Sequence, residues 1–513
     1  MNKLTILSVS VPYLFLFSQC QSQKELEKSN IILILADDLG WSDIGCYGSE
    51  IKTPNLDRLA ENGIRFRQFA NTSKSFPSRA CLLTGVYAQD CGYDDTFREP
   101  IKNAVTIGEV LHAAGYRTLW AGKHHGSENP VTRGFDRYYG LKDGACNYFN
   151  PGNQREGEGL PAQKNRAREW CIDTVLYKPY SPPQKDFYTT DYFTNYALDW
   201  LEEYKNENKP FFLFMAYNAP HDPLMAWPSD IGKYKGFYDE GYESVRLKRY
   251  EKQRETGLID DKYILPDPTH DPWESLSDST KKEETRKMEV YAAMIDRLDQ
   301  NIGRILNKLR ETGKDRNTLI IFVSDNGASA EVVNLKNDDD NAPVGSMTRW
   351  VSLGKNWANV GNTPFRFYKN YSYQGGINTP CIVWWPPVIK PGSFSDFPGH
   401  FIDFMATFIE ITGAKYPEEF NGQKVKPCRG ESLLDAFAGK KVARKKPLYW
   451  EWRQGQAVRK GDWKIVKYGI TNSWELYNLK DDPTETIDRK NENPEVLSEL
   501  DTLFKNWKAG YSK

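Results

Sequence analysis

The 513-residue chain carries almost no excess charge, no internal repeat and no low-complexity segment. Its 68 Lys+Arg against 69 Asp+Glu leave a formal net charge of -1. That balance excludes attraction to nucleic acid through bulk charge, while saying nothing about the sign of a local cleft. The chain also lacks a hydrophobic run long enough to span a bilayer. Its one apolar stretch, residues 4–17, is too short and is broken by Pro12. That stretch follows Lys3 and precedes Ser18-Gln19-Cys20, the arrangement of an export signal over residues 1–22. Cys20, followed by polar residues, is a candidate site for a lipid anchor, although Gln19 is a poor neighbour for acylation. The expectation is an exported protein, periplasmic or held at a bacterial cell surface. Metal-ligand spacing is missing from the other cysteines, Cys46, Cys81, Cys91, Cys146, Cys171, Cys381 and Cys428. Seven cannot all pair, and the sequence assigns no disulfide partners.

What is present fits one large α/β domain and a smaller one. Hydrophobic residues at 39% allow a substantial core, and 15 Trp with 29 Tyr supply flat rings for a core or for sugars and aryl groups. The unbroken run IILILA at 31–36 predicts a strand buried on both faces. It ends in Asp37-Asp38, at the position where open α/β sheets hold their ligands. Two adjacent carboxylates repel each other, and hard oxygen donors of this kind suit Ca2+ or Mg2+. Three more predicted strands end in chemistry. The strand at 116–121 leads to Lys123, His124 and His125, where His124 should face away from its neighbours. The strand at 211–216 leads to His221 between Pro220 and Pro223. The strand at 318–323 leads to Asp325-Asn326-Gly327, two further oxygen donors or an ordinary turn. Helices are expected at 194–204 and 285–312, and a single strand at 66–70. Thr53 is expected to cap a helix begun by Pro54. Residues 230–261 read as a long insertion on the side of the site.

The stretch 71–87 (NTSKSFPSRACLLTGVY) is the one the rest is organised around. It reads as a loop that becomes a helix, with Pro77 in the first turn and Gly85 as the stop. Arg79 lies one turn on from Ser75 and can point its donors at the serine oxygen or at an anion held there. Downstream, Pro364-Phe365-Arg366 and Lys369 precede Gly375-Gly376, glycines that permit close backbone approach, and Lys369 can reach an anion. From about residue 417 the pattern changes to short strands at 448–452, 456–459, 463–466 and 475–478 and a closing helix at 494–507. This predicts a small antiparallel sheet with one helix.

The Asp-Asp after the first strand, the Ser75-Phe76-Pro77-Ser78-Arg79 stretch, Lys123 with His125, His221 between prolines, Asp325-Asn326-Gly327 and Lys369 before Gly375-Gly376 occur in one order. That order resembles the formylglycine-dependent sulfatases, in the arylsulfatase-like branch of the alkaline phosphatase superfamily. The resemblance implies a large, mixed, mostly parallel sheet flanked by helices over 23–416, with a C-terminal subdomain over 417–513. It implies a sulfuric ester hydrolase that converts a sulfate ester to alcohol and inorganic sulfate. The ester would be that of a glycan such as sulfated galactose, or of an aryl group. Ser75 would be oxidised to formylglycine by a radical-type maturase, and its hydrate would be the nucleophile. Asp37, Asp38, Asp325 and Asn326, alongside modified Ser75, would hold one Ca2+. Arg79 would stabilise the hydrate, Lys123 and Lys369 would clamp sulfate, His125 would bond the hydrate and later collapse it, and His221 would protonate the leaving oxygen. The chain departs from the branch at Ser75 in place of Cys, Gln374 in place of Glu and Val86 where Arg is frequent. Specificity is expected from residues 230–261 and from the strands around Trp452 and Arg453. Phosphodiester or phosphonate hydrolysis on the same scaffold, which a second metal would favour, and a sulfoglycan-binding protein with unmodified Ser75 are the alternatives.

Overall fold

A computed structural model of the chain describes residues 28–163, 166–335 and 339–511. The export signal and Cys20 lie outside the described residues. No helix among those described is long and apolar enough to cross a membrane.

Asn30–Asp37 is a strand buried along its whole length. Ile32 and Ile34 enter one core and Ile31, Leu33 and Leu35 the other, so both faces of the sheet are covered. Each such Ile or Leu contributes roughly 1.5–3 kcal/mol by leaving water. This strand lies inside a ten-stranded sheet. From edge to edge the order is Ser393–Ser395, Ile64–Phe66, Cys381–Trp384, Thr318–Ser324, Asn30–Asp37, Phe211–Pro220, Arg117–Gly122, Arg137–Leu141, Trp170–Ile172 and Val175–Tyr177. The five strands from Thr318–Ser324 to Arg137–Leu141 run parallel. Cys381–Trp384 on one side and Trp170–Ile172 on the other are antiparallel to them. Helices Thr189–Glu203 and Asp278–Glu311 pack together over one face, and Ser75–Thr84 and Asp403–Thr412 over the other.

Four strands, Leu448–Trp452, Gly455–Lys460, Trp463–Tyr468 and Glu475–Asn478, form a separate antiparallel sheet. Val458, Ile465 and Leu476 pack there against Leu500 and Phe504 of helix Pro494–Tyr511. The sheet is tied to the larger body by polar bonds at buried positions. Trp450 Nε1 donates to Asn71 O at 2.7 Å, and Lys464 reaches Ser372 O at 2.8 Å and Glu485 at 2.6 Å.

Several local expectations change. The strand expected at 66–70 is two short ones, Ile64–Phe66 and Phe69–Ala70, in different sheets. Both long helices start earlier than expected, at Thr189 and at Asp278, the second capped by Ser277 Oγ, which accepts from Thr280 N. Thr53 precedes helix Pro54–Glu61 but makes no capping bond. Its hydroxyl is engaged by Gly45 N and Asp57, and Asp299 caps that helix by accepting from Asn55 N and Leu56 N. All seven described cysteines are free thiols.

Candidate active site

Thr318–Ser324, Asn30–Asp37, Phe211–Pro220 and Arg117–Gly122 are neighbours and parallel, so their C-terminal ends open on one edge. Asp325-Asn326, Asp37-Asp38, His221 and Lys123 therefore come from four adjacent strand ends. The crowding there tolerates little extra volume. A Cβ at Gly122, where φ is 125°, would lie 2.0 Å from Ala216 O, and one at Gly327 would lie 2.0 Å from Gly375 O. Asp38 and His125 both sit at positive φ, 62° and 61°. Residues held in this sparsely populated region cluster where neighbours over-determine them.

Ser75 opens the buried helix Ser75–Thr84, with Pro77 in its first turn and Gly85 closing it in the left-handed region. Its Oγ donates to Asn326 Oδ1 at 3.1 Å and lies 3.4 Å from Asp37 Oδ1. Asn326 Nδ2 donates in turn to Asp38 Oδ1 at 2.6 Å. Asp37, Asp38 and Asp325 are almost wholly buried, as are Arg79, Lys123 and Lys369. Lys123 Nζ lies 2.5 Å from Asp37, Lys369 Nζ 2.9 Å from Asp38, and Arg79 Nε 2.9 Å from Asp325. Arg79 makes no hydrogen bond to Ser75, contrary to one expected orientation. It braces Asp325 and the Lys123 carbonyl, and its Nη2 is buried without a hydrogen-bond partner.

The charges set the protonation states. Burial opposes ionisation of Asp37, yet Lys123, with His221, Arg79 and Lys369, holds its carboxyl well below the usual range. Burial, joined by repulsion from Asp37, pushes Asp325 up to about 7 against the pull of Arg79. Burial also opposes the charge on His221, but Asp38, Asp37 and Asp222 raise its pKa above the ordinary value. Its Nε2 is 3.5 Å from Asp38 and its Nδ1 is 2.8 Å from Asp222. His125 goes the other way: burial, reinforced by Lys123 and Arg79, holds it neutral. Its ring packs edge-on against Phe97 at 4.6 Å. His124 is buried against Trp120 at 5.0 Å, and burial lowers its pKa to about 3.

Ligand atoms of Asp37, Asp38 and His221 lie within 4.8 Å of one another. Three buried carboxylates and the Asn326 amide meet here, and burial, with repulsion from Asp37, raises Asp325. A divalent cation relieves that repulsion, and oxygen donors suit Ca2+ in particular. The donor set therefore fits such an ion.

Ser75, His125, His221 and Lys369 face a cleft of about 520 Å3, together with Lys74, Phe76, Phe97, Arg166, Arg168, Asp222 and Glu331. The sulfatase family profile matches residues 29–414. The chain belongs to the sulfatase family. A profile described as the C-terminal part of N-sulphoglucosamine sulphohydrolase matches residues 364–509 of this sulfatase. It is 33% identical over 525 residues to an uncharacterized sulfatase of Schizosaccharomyces pombe, covering 93% of each chain. It is also 33% identical over 451 residues to an arylsulfatase of Klebsiella aerogenes, covering 82% of this chain and 95% of the relative. Among solved structures, the sulfatase resembles Ps i-CgsB in complex with k-i-k-neocarrahexaose. The TM-score is 0.68 at 27% identity, over 94% of this chain and 92% of that one.

Two expectations about the cleft are corrected in this sulfatase. Residues 230–261 contribute nothing to its lining. Their helix Gly241–Glu255 is instead drawn into the scaffold by Arg249, which is buried and paired with Asp43 at 2.6 Å and Glu50 at 2.8 Å. Trp452 and Arg453 are also absent from the lining; Trp452 stands behind Phe76 at 5.2 Å, with Arg453 over its ring.

Reading the sequence missed other groups. Asp222 fixes His221 Nδ1 and accepts from Ser352 Oγ at 2.5 Å. Glu331 bridges Lys74 at 2.5 Å and Lys369 at 2.7 Å. Asp222 follows His221 directly, a signal that was available; nothing in the loop around Glu331 announces it.

Proposed function

We propose that this sulfatase is an exported enzyme that hydrolyses a sulfate ester of a glycan, such as a sulfated galactose unit. An aryl sulfate is the near alternative. The observation that carries this reading is the meeting of Ser75 with three buried carboxylates and three buried cations at one strand edge. Oxidised to formylglycine, Ser75 would supply as its hydrate a nucleophile with a second hydroxyl for later release of sulfate, and Asp37, Asp38, Asp325 and Asn326 would hold a Ca2+ that would act as Lewis acid.

The chain's own groups do the rest. Lys123, Lys369 and Arg79 offset the charge carried by sulfate oxygens, and in a dry site each is worth far more than in water. His221, whose protonated form is favoured by the carboxylates around it and which is oriented through Nδ1 by Asp222, presents Nε2 as the donor to a leaving alkoxide. His125, held neutral beside Phe97, is ready to accept a proton on the Ser75 side. The rings of Phe76 and Phe97 suit the apolar face of a sugar or an aryl group. A serine at position 75 calls for an oxygen-independent radical maturase. The apolar run at residues 4–17 supports export, with Cys20 as a candidate anchor.

The test is mass spectrometry of the Ser75 peptide from the native host, paired with sulfate-release assays on monosulfated saccharides. Conversion lowers the peptide mass by two hydrogens and should accompany activity. An unmodified peptide with no sulfate release would leave a sulfoglycan-binding protein as the better description.

A further inference from the structure

The cations of the cleft are nearly all accounted for. Lys123, Lys369 and Arg79 serve the Ser75 corner. Lys74 is satisfied by Glu331, and Arg166 by Asp143. Arg168 is the exception. It lines the cleft and is only 5% exposed, yet its Nε and Nη2 are sealed from solvent with no hydrogen-bond partner. Asp143 is the acid whose charge favours Arg168, but its carboxylate is taken by Arg166 and by Glu169 N at 2.7 Å. A guanidinium buried without an acceptor is costly unless something arrives to fill its fork. Burial lowers its pKa below the ordinary arginine value, only partly offset by the charge of Asp143.

We propose that Arg168 forms a second anion subsite, so that the preferred substrate carries, beside the scissile sulfate, another sulfate or a carboxylate seated on that guanidinium. Planar, bidentate pairing with either oxyanion is the chemistry an arginine fork recognises. The aromatic pair Phe76 and Phe97 and the Ser75 corner share the cleft with Arg168, so one saccharide can touch all three. The inference rests on the sulfatase reading and narrows its substrate to saccharides with at least two anionic groups.

The experiment compares kcat/KM of the matured enzyme on matched saccharides: galactose monosulfates, galactose disulfates, and galactose monosulfates linked to glucuronate. The wild type should prefer a two-anion substrate by roughly 10- to 100-fold. Arg168→Gln should erase that preference. Whichever arm, disulfate or glucuronate, shows the preference identifies the second anion. Absence of preference in the wild type, or a preference that survives in Arg168→Gln, overturns the proposal. So do equal losses on one- and two-anion substrates, which would put Arg168 on the scissile sulfate or in the fold. Arg168→Lys keeps the charge and loses the fork; it serves if the Gln variant does not fold, and an unchanged preference there also overturns the idea. Calorimetric binding of a galactose disulfate to the full chain, against unsulfated galactose, tests the subsite without turnover. If the wild type cleaves no sulfate ester, the sulfatase reading fails, whereas Arg168-dependent binding of the disulfate would still uphold the subsite.

Discussion

Replacing His221 by Ala removes the one imidazole facing the cleft whose neighbours favour its protonated form. The expected damage depends on the leaving group. A sugar alkoxide cannot depart without a proton, so the loss on sugar sulfates should match that of a positioned general acid, roughly 10²- to 10⁴-fold in kcat. An activated aryl sulfate such as 4-nitrophenyl sulfate leaves as a stable anion and needs no donor, so its loss should be smaller by at least about 10-fold. The structure supplies the grounds for that size. Asp222 at 2.8 Å fixes the ring, and the surrounding carboxylates raise its pKa above the ordinary value, which favours the protonated form an acid needs. His221→Gln, which keeps a polar side chain of similar reach, should behave like the Ala variant on sugars. The assay is sulfate release by ion chromatography for both substrates, with single-turnover rates to separate chemistry from product release. Equal losses on both substrates would refute the assignment of His221 as the acid.

Arg249→Met should destabilise the fold by about 3–5 kcal/mol, because it leaves the buried Asp43 facing no cation; denaturant unfolding measures it, and a loss below 1 kcal/mol would show that the pair is dispensable. Stability should also fall with pH through His400, which is fully buried. Burial, with Arg444 nearby, lowers its pKa to about 3. The unfolded chain takes up a proton near pH 6.5 and the folded chain does not, so stability is lost by about 1.4 kcal/mol per pH unit below that point. His400→Gln should flatten the slope by that amount, and an unaltered slope would count against it. Titration with Ca2+ should raise the unfolding midpoint of the wild type by mass action, and not that of an Asp37→Asn, Asp325→Asn double variant. A shift of equal size in both would place the ion elsewhere.

Much of the architecture was legible because the parallel strands are buried on both faces and read as unbroken apolar runs. IILILA and its counterparts at 211–216 and 318–323 could only be such strands, and the polar residues after each marked the site edge. Asp37, Asp38, Lys123, His221, Asp325 and Asn326 were found through that rule. What was not legible depended on pairing across long stretches of chain. Arg249 belongs to a charged helix that looks solvent-facing, and only the positions of Asp43 and Glu50 reveal that it is drawn inward. The insertion therefore packs on the scaffold behind the cleft and does not line it. Thr53 looked like a helix cap because the cap provided by Asp299 comes from a distant helix. Glu331 and Arg168 lie in irregular segments, where no periodicity tells which side chains turn inward.

The strand Asn30–Asp37 is synthesised near the start of the chain yet lies between Phe211–Pro220 and Thr318–Ser324. Neither flank exists until long after Ser75 has left the ribosome, so this inner strand must wait for both of its neighbours to be made. During that interval Ser75 is a residue on an open chain, whereas in the finished protein it is 1% exposed and shut in by Asp37 and Asn326. Any enzyme that alters this serine would meet it on an open chain before the later strands are made, and only at the floor of the cleft afterwards.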